Sequence, residues 1–222
     1  MAKRIKQYSE AQLIDTFKLT RLVGGQCSST MQKWLDAETC LNAGEQYLFD
    51  LVFADACKNI DGWHEEDLKM KLICFVLRLG HLVDNEQFHT YFERTIETTV
   101  DGHFLKVKTD FMLAKGILDM PQVPYFHFQE YKRQTDPNGD PIAQVLEAML
   151  IAQEINQDKQ PIYGAYVIGK FWNFIVLENK HYSISKTFDC TEHDGLLKII
   201  AVLRKLNLLL LKREHHADRH PQ

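Results

Sequence analysis

The hydrophobic period of this chain changes at Phe92, and that change limits the fold more than any other feature. Before it, apolar residues recur at helical spacing. Leu68, Leu72, Ile73, Val76 and Leu77 share one face of a segment running from about residue 64 to 79. After it, alternation by two sets in. Residues 93–100 read as a strand, Asp101-Gly102 as a tight turn and 103–114 as the returning strand. Residues 116–123, with Pro121, read as a loop, and 124–132 as a third strand rich in aromatics. Asp140-Pro141 joins a good N-cap to proline at the first helical position, so a helix should run to about Asn156. Strands at 162–168, 171–177 and 181–185 and a helix at about 194–213 complete the chain. This order predicts an α/β fold with a mixed central sheet flanked by helices.

The first sixty residues read as helical. Ser9-Glu10-Ala11-Gln12 fits a capping box, Gly24-Gly25 ends that helix, and a second helix spans about 44–59 with Tyr47, Leu48, Leu51 and Val52 at helical spacing. Two units are expected: residues 1–60 as a helical segment packed on the core, and 61–222 as the α/β domain.

A chain of 222 residues can bury a full core without staples. It has no apolar run near the ~20 residues of a membrane span and no apolar stretch after the initial Met1-Ala2-Lys3-Arg4. A cytoplasmic protein without membrane contact is expected. The formal charge of −4 excludes a uniformly basic coat but leaves room for a local basic strip. Five cysteines without a C-x-x-C spacing read as reduced, mostly buried thiols.

Chemistry concentrates on two strands. In Tyr125–Lys132 the alternation puts Phe126, Phe128, Glu130 and Lys132 on one face, so a carboxylate and an ammonium share a core-facing edge. Alone, Glu130 and Lys132 read as an ion pair where the strand leaves the core. Asp110 changes the weighing, because an acid is unexpected in its apolar strand and the turn at Asp101-Gly102 sets it near Glu93 and within reach of Glu130. Two carboxylates on adjacent strands repel unless a cation sits between them, and such oxygen ligands suit Mg²⁺. A lysine alongside can orient a water and neutralise a phosphate. Gln144 lies in the first turn of the following helix, in line with Ala148, Ile151 and Ile155. Its alternative is a boundary residue bonded to backbone. His127 reads as a structural histidine, Trp172 as core, His215, His216 and His220 as a solvated tail, and the basic residues of the last helix, among them Lys198 and Arg204, as a solvated side.

Asp110, then Glu130-Tyr131-Lys132, then a helix bearing Gln144, in α-β-β-β-α-β order, resembles the PD-(D/E)XK, or restriction endonuclease-like, nuclease superfamily. The similarity is to the N-terminal nuclease domain of type I restriction enzyme motor subunits, over roughly residues 61–185. The resemblance implies a Mg²⁺- or Mn²⁺-dependent endonuclease or exonuclease acting on DNA in restriction, defence or repair. It implies metal ligation by Asp110, Glu130 and the Tyr131 carbonyl, catalysis by Lys132 with Gln144, and help from Glu65 in the first helix. Thr109 stands where the superfamily's proline would be, and the choice between Glu65 and Glu66 stays open. A protein partner or a second copy of the chain is a further expected companion. The other reading is a catalytically silent nuclease-like module that binds DNA or a partner.

Overall fold

The computed structural model describes residues 8–23, 27–134 and 139–217. Gly24, Gly25 and His220 lie outside the described residues, as do the side chains of His215 and His216. Among the described residues eight strands form one mixed sheet. In chain order they are β1 (Thr20–Leu22), β2 (His89–Val100), β3 (His103–Ile117), β4 (Met120–Lys132), β5 (Ile162–Ile168), β6 (Phe171–Glu178), β7 (His181–Ile184) and β8 (Phe188–Asp189). The spatial order is β1-β7-β6-β5-β4-β3-β2, with β8 on β6. β1 runs parallel to β7 and β5 parallel to β4; the other pairs are antiparallel.

Helices cover both faces. α1 (Glu10–Phe17) and α6 (Pro141–Asn156) pack on one side. On the other lie α2 (Ser29–Leu35), α3 (Ala43–Asn59), α7 (His193–Ala217) and a rod made of α4 (Glu65–Leu68), a π-helical turn (Lys69–Ile73) and α5 (Cys74–Leu79). No helix among the described residues is long and apolar enough to cross a membrane.

The capping box at Ser9 forms as expected, with the Ser9 amide donating to Gln12 Oε1 at 3.0 Å. Yet α1 stops at Phe17, where Lys18 turns left-handed, well short of Gly24. The chain then adds β1 to the sheet edge, so the first sixty residues are not wholly helical. Strand pairing across 160 residues leaves no local signal in three residues, two of them exposed.

Trp34 of α2 is fully buried and donates its indole N–H to the Val202 carbonyl of α7 at 2.9 Å. Its ring meets Tyr163 and Phe174 of the sheet at 4.9 and 5.0 Å. Arg204 of α7 is not on a solvated basic side. Its guanidinium bonds the Leu79 carbonyl, Thr39, the Cys40 carbonyl and Glu45. Lys198 likewise caps the Ala37 carbonyl at 2.7 Å.

Four further expectations need correction. The supposed loop at 116–123 is the tip of a hairpin, because β3 continues to Ile117 and β4 begins at Met120. On α3, Leu48 and Val52 of the expected stripe pack on the core together with Phe49 and Ala56, while Tyr47 and Leu51 are exposed. Only Cys190 among the cysteines is buried. Phe126 does not share a face with Phe128, since the register shifts between Leu113 and Ala114 make it an extra, bulged residue on β4.

Candidate functional site

β3 and β4 bring the predicted residues together. The antiparallel register pairs Phe111 with Gln129, which sets Asp110 beside Glu130. The Tyr131 amide donates to Asp110 Oδ2 at 2.7 Å. Lys132 Nζ lies 2.6 Å from Glu130 Oε1, and both side chains are largely buried.

The strand changes character at Asp110. Leu105 and Val107 pack on the α6 side, whereas Phe111 and Leu113, of the same parity, pack on the other. Across from Asp110 on β2 stands Glu93, a non-glycine residue at φ +55. A left-handed residue inside a ladder re-aims the side chains around it. Here it turns Glu93 and Asp110 toward the helical rod.

The rod supplies Lys69, which sequence reasoning missed. Its ammonium lies 2.8 Å from Asp110 Oδ1, 3.0 Å from Glu93, 3.1 Å from Glu65 and 3.6 Å from Glu66. Lys69 opens the π-helical turn, and such turns change the facing of every residue after them. The available signal was its i,i+4 spacing from Glu65. Glu65 faces the cluster, while Glu66 is mostly exposed.

Burial raises the Asp110 carboxyl above its ordinary value and the charge of Glu65 adds to this, against the pull of Lys69 and the Tyr131 amide. Burial pushes Glu130 up to about 7, helped by the charge of Asp110 and opposed by Lys132. Glu93 goes the other way, to about 2, because Lys108 and Lys69 both bond it. Burial alone would lower Lys69, but Asp110, Glu93 and Glu65 hold it well above the usual lysine value.

Gln144 lies in a cleft of about 590 Å³ bounded by α1, β3 and the start of α6. Lys106 and Lys108 line the cleft, as does Glu147, another residue the sequence reading passed over. Lys108 pairs with Glu93, which in turn bonds Lys69, so ion pairs join β3 to the acidic cluster. On the buried face of β4, Tyr131 donates to Gln129 at 2.8 Å and the Gln129 amide meets His127 Nε2 at 2.8 Å. Burial lowers His127 to about 3, so it is neutral and structural.

Among the described residues no three histidine, cysteine, aspartate or glutamate side chains gather in a way that could hold a metal ion. In donor chemistry, Asp110, Glu130 and the Tyr131 carbonyl suit a hard divalent cation that keeps several waters. Asp110 has both oxygens engaged, so a cation there would displace the Lys69 ammonium from Oδ1. No protein-family model matches the chain, and no curated protein matches it significantly.

Proposed function

We propose that this chain is a divalent-metal-dependent nuclease that hydrolyses DNA phosphodiester bonds on a restriction endonuclease-like core. The observation that carries the reading is the pairing of a half-buried carboxylate, Asp110, with a buried one, Glu130, on adjacent strands, with Lys132 at 2.6 Å from Glu130. The run from the α4–α5 rod through β2, β3, β4 and α6 to β5 has the α-β-β-β-α-β order of that core. Glu130, at about 7, is short of positive charge even with Lys132 beside it, which is the condition a divalent cation relieves.

Asp110, Glu130 and the Tyr131 carbonyl would hold Mg²⁺ or Mn²⁺. When bound, the ion would supply Lewis-acid polarisation of the phosphate and a more acidic water. Lys132 would orient the attacking water and neutralise charge growing on the phosphate. Glu65 would help hold the cation from the rod. Gln144, in the cleft, would steady a phosphate or the water.

DNA cleavage in Mg²⁺ or Mn²⁺ tests the reading. Lys132→Ala should lower the rate by roughly 10²–10⁴ while the protein still binds metal. Equal cutting by both proteins would overturn it. The position of Lys69 favours a second reading, a nuclease-like module that binds DNA or a partner without cutting. There the lysine is a permanent counter-ion, and calorimetry with Mn²⁺ would show no binding.

A further inference from the structure

The long β2–β3 hairpin turns one face to α6 and leaves the other to solvent. Ile96 and Val100 of β2 and Leu105 and Val107 of β3 pack on the α6 side. Alternation therefore carries Phe104, Lys106 and Lys108 to the opposite face. Phe104 is 61% exposed there, and its register partner Thr99 is exposed beside it. Lys106 stands across from Glu97 and Lys108 across from Thr95, both exposed. Where the strands reach the Lys69 cluster, Phe92 is 53% exposed and meets Phe111, a ring of the rod-side core, at 5.4 Å. Two phenylalanines thus bracket two lysines on one sheet face. Along β3 the span from Phe104 to Phe111, the partner of Phe92, is about 24 Å at ~3.4 Å per residue.

The strip is continuous with the acids. Lys108 pairs with Glu93, Glu93 with Lys69 and Lys69 with Asp110, so a line of ion pairs joins it to the candidate metal ligand. Exposed rings on a rigid strand offer flat apolar surfaces, and the lysines between them offer charge to a phosphate. Surfaces that hold single-stranded nucleic acid combine these two features. Duplex binding depends chiefly on neutralising phosphates. Here each lysine has a partly exposed glutamate beside it, Glu97 or Glu93, so the strip has little net charge to offer a duplex. Such exposed ion pairs are weak enough to open for a phosphate. Stacking on a ring needs no charge, but it needs a free base face, which an unpaired strand presents and a duplex hides.

We propose that the solvent face of the β2–β3 hairpin is a platform for single-stranded DNA, with bases stacking on Phe104 and Phe92, the intervening phosphates meeting Lys106 and Lys108, and the strand led toward Asp110. The proposal deepens the nuclease reading and rests on it for the choice of DNA as the polymer.

The test is fluorescence anisotropy with the full chain in EDTA. The probe is a labelled DNA of mixed sequence, about twelve nucleotides long and within the footprints such platforms cover, either single-stranded or annealed to its complement. The single strand should bind at least about tenfold more tightly than the duplex. With Lys106 and Lys108 each meeting one phosphate, log K should fall with log salt at a slope of about −1.4. Phe104→Ala should weaken single-strand binding at least about fivefold, the low end of one base–aromatic stack. It should melt as wild type does, because the ring is mostly exposed. Phe104→Trp should bind at least as tightly as wild type. Should Phe104→Ala fold poorly, Phe104→Leu, which keeps apolar bulk and loses the ring face, takes its place. Absence of binding, duplex binding as tight as the single strand, or wild-type binding by the folded Phe104→Ala protein would overturn the proposal and leave the rings to a protein partner or to solvent. Because no metal is present, the two readings fail separately. Single-strand binding without metal-dependent cleavage removes the nuclease, and cleavage to which Phe104 contributes nothing removes the platform.

Discussion

The Lys69 cluster and the floor of the cleft hold buried or half-buried acids on neighbouring elements, and they treat charge in opposite ways. Around Lys69 one ammonium is shared by Asp110, Glu93 and Glu65, and Glu93 sits at about 2. On the cleft floor Glu147 has no ion-pair partner among the described residues, and burial pushes it up to about 7 against a hydrogen bond from the Lys106 backbone. Glu130 is pushed up as far as Glu147 although Lys132 is 2.6 Å away, because burial and the charge of Asp110 win. A nearby ammonium therefore does not settle whether a carboxyl is charged. The balance of lost solvation, like charges and donors does.

The largest break in that comparison should come from Lys69→Met. It strips the cluster of its shared cation and leaves Asp110 half-buried beside three other acids. Urea unfolding should show a loss of roughly 3–5 kcal/mol, the usual result of removing one partner of a buried pair. Adding Asp110→Asn should restore part of it, since the two sites are in contact. Under the nuclease reading Mn²⁺ should also restore part of it, by mass action.

Glu147→Met should move stability the other way. The folded pKa of Glu147 lies above the ordinary 4.5, so between about pH 4.5 and 7 the folded state binds more protons than the unfolded one. Wild-type stability from this group is then fully present below about pH 4.5 and is lost as pH rises through 7. The methionine variant should be more stable than wild type by roughly 2–3 kcal/mol at pH 8 and by little at pH 4.5. Glu93 and Glu45 have the opposite sign. Glu45 is held near 2 by the Asn42 amide, His81 and Arg204. Stability from these two should be present above about 4.5 and lost as pH falls toward 2. Unfolding followed across pH 2–8 should therefore show a wild-type maximum near pH 4.5–5, which Glu147→Met broadens on the alkaline side.

The smallest effect should be at Glu66. Its side chain is 82% exposed and 3.6 Å from Lys69. Glu66→Gln should change stability by less than about 0.5 kcal/mol in a urea melt. Glu65→Gln should cost more, because Glu65 lies closer to the ammonium.

Much of the architecture was legible because it is local. The Asp101-Gly102 turn, the Asp140-Pro141 helix start and the bounds of β5 follow from spacing and turn chemistry within a few residues, whereas β2 begins at His89, four residues before the expected start. The adjacency of Asp110 and Glu130 could be read because one hairpin register fixes it. The N-terminal edge strand could not, nor could the bulge at Phe126, since each depends on a partner strand distant in sequence or on a shift within the ladder.

The sequence by itself determined the α/β layering, the pairing of β2 with β3 and the presence of an acid and a Glu-x-Lys strand side by side. Tertiary structure alone decided what surrounds those acids. Glu93 at φ +55 and the π-helical turn at Lys69 bring β2, β3 and the rod to one point, placing an ammonium against Asp110. The closing of α1 over β3 and α6 made a cleft lined by Gln144 and Glu147. Period and propensity report which face of an element is buried. They do not report which charges meet there, because electrostatic partners are chosen by distance in space and solvent exclusion, and both exist only once the layers have packed.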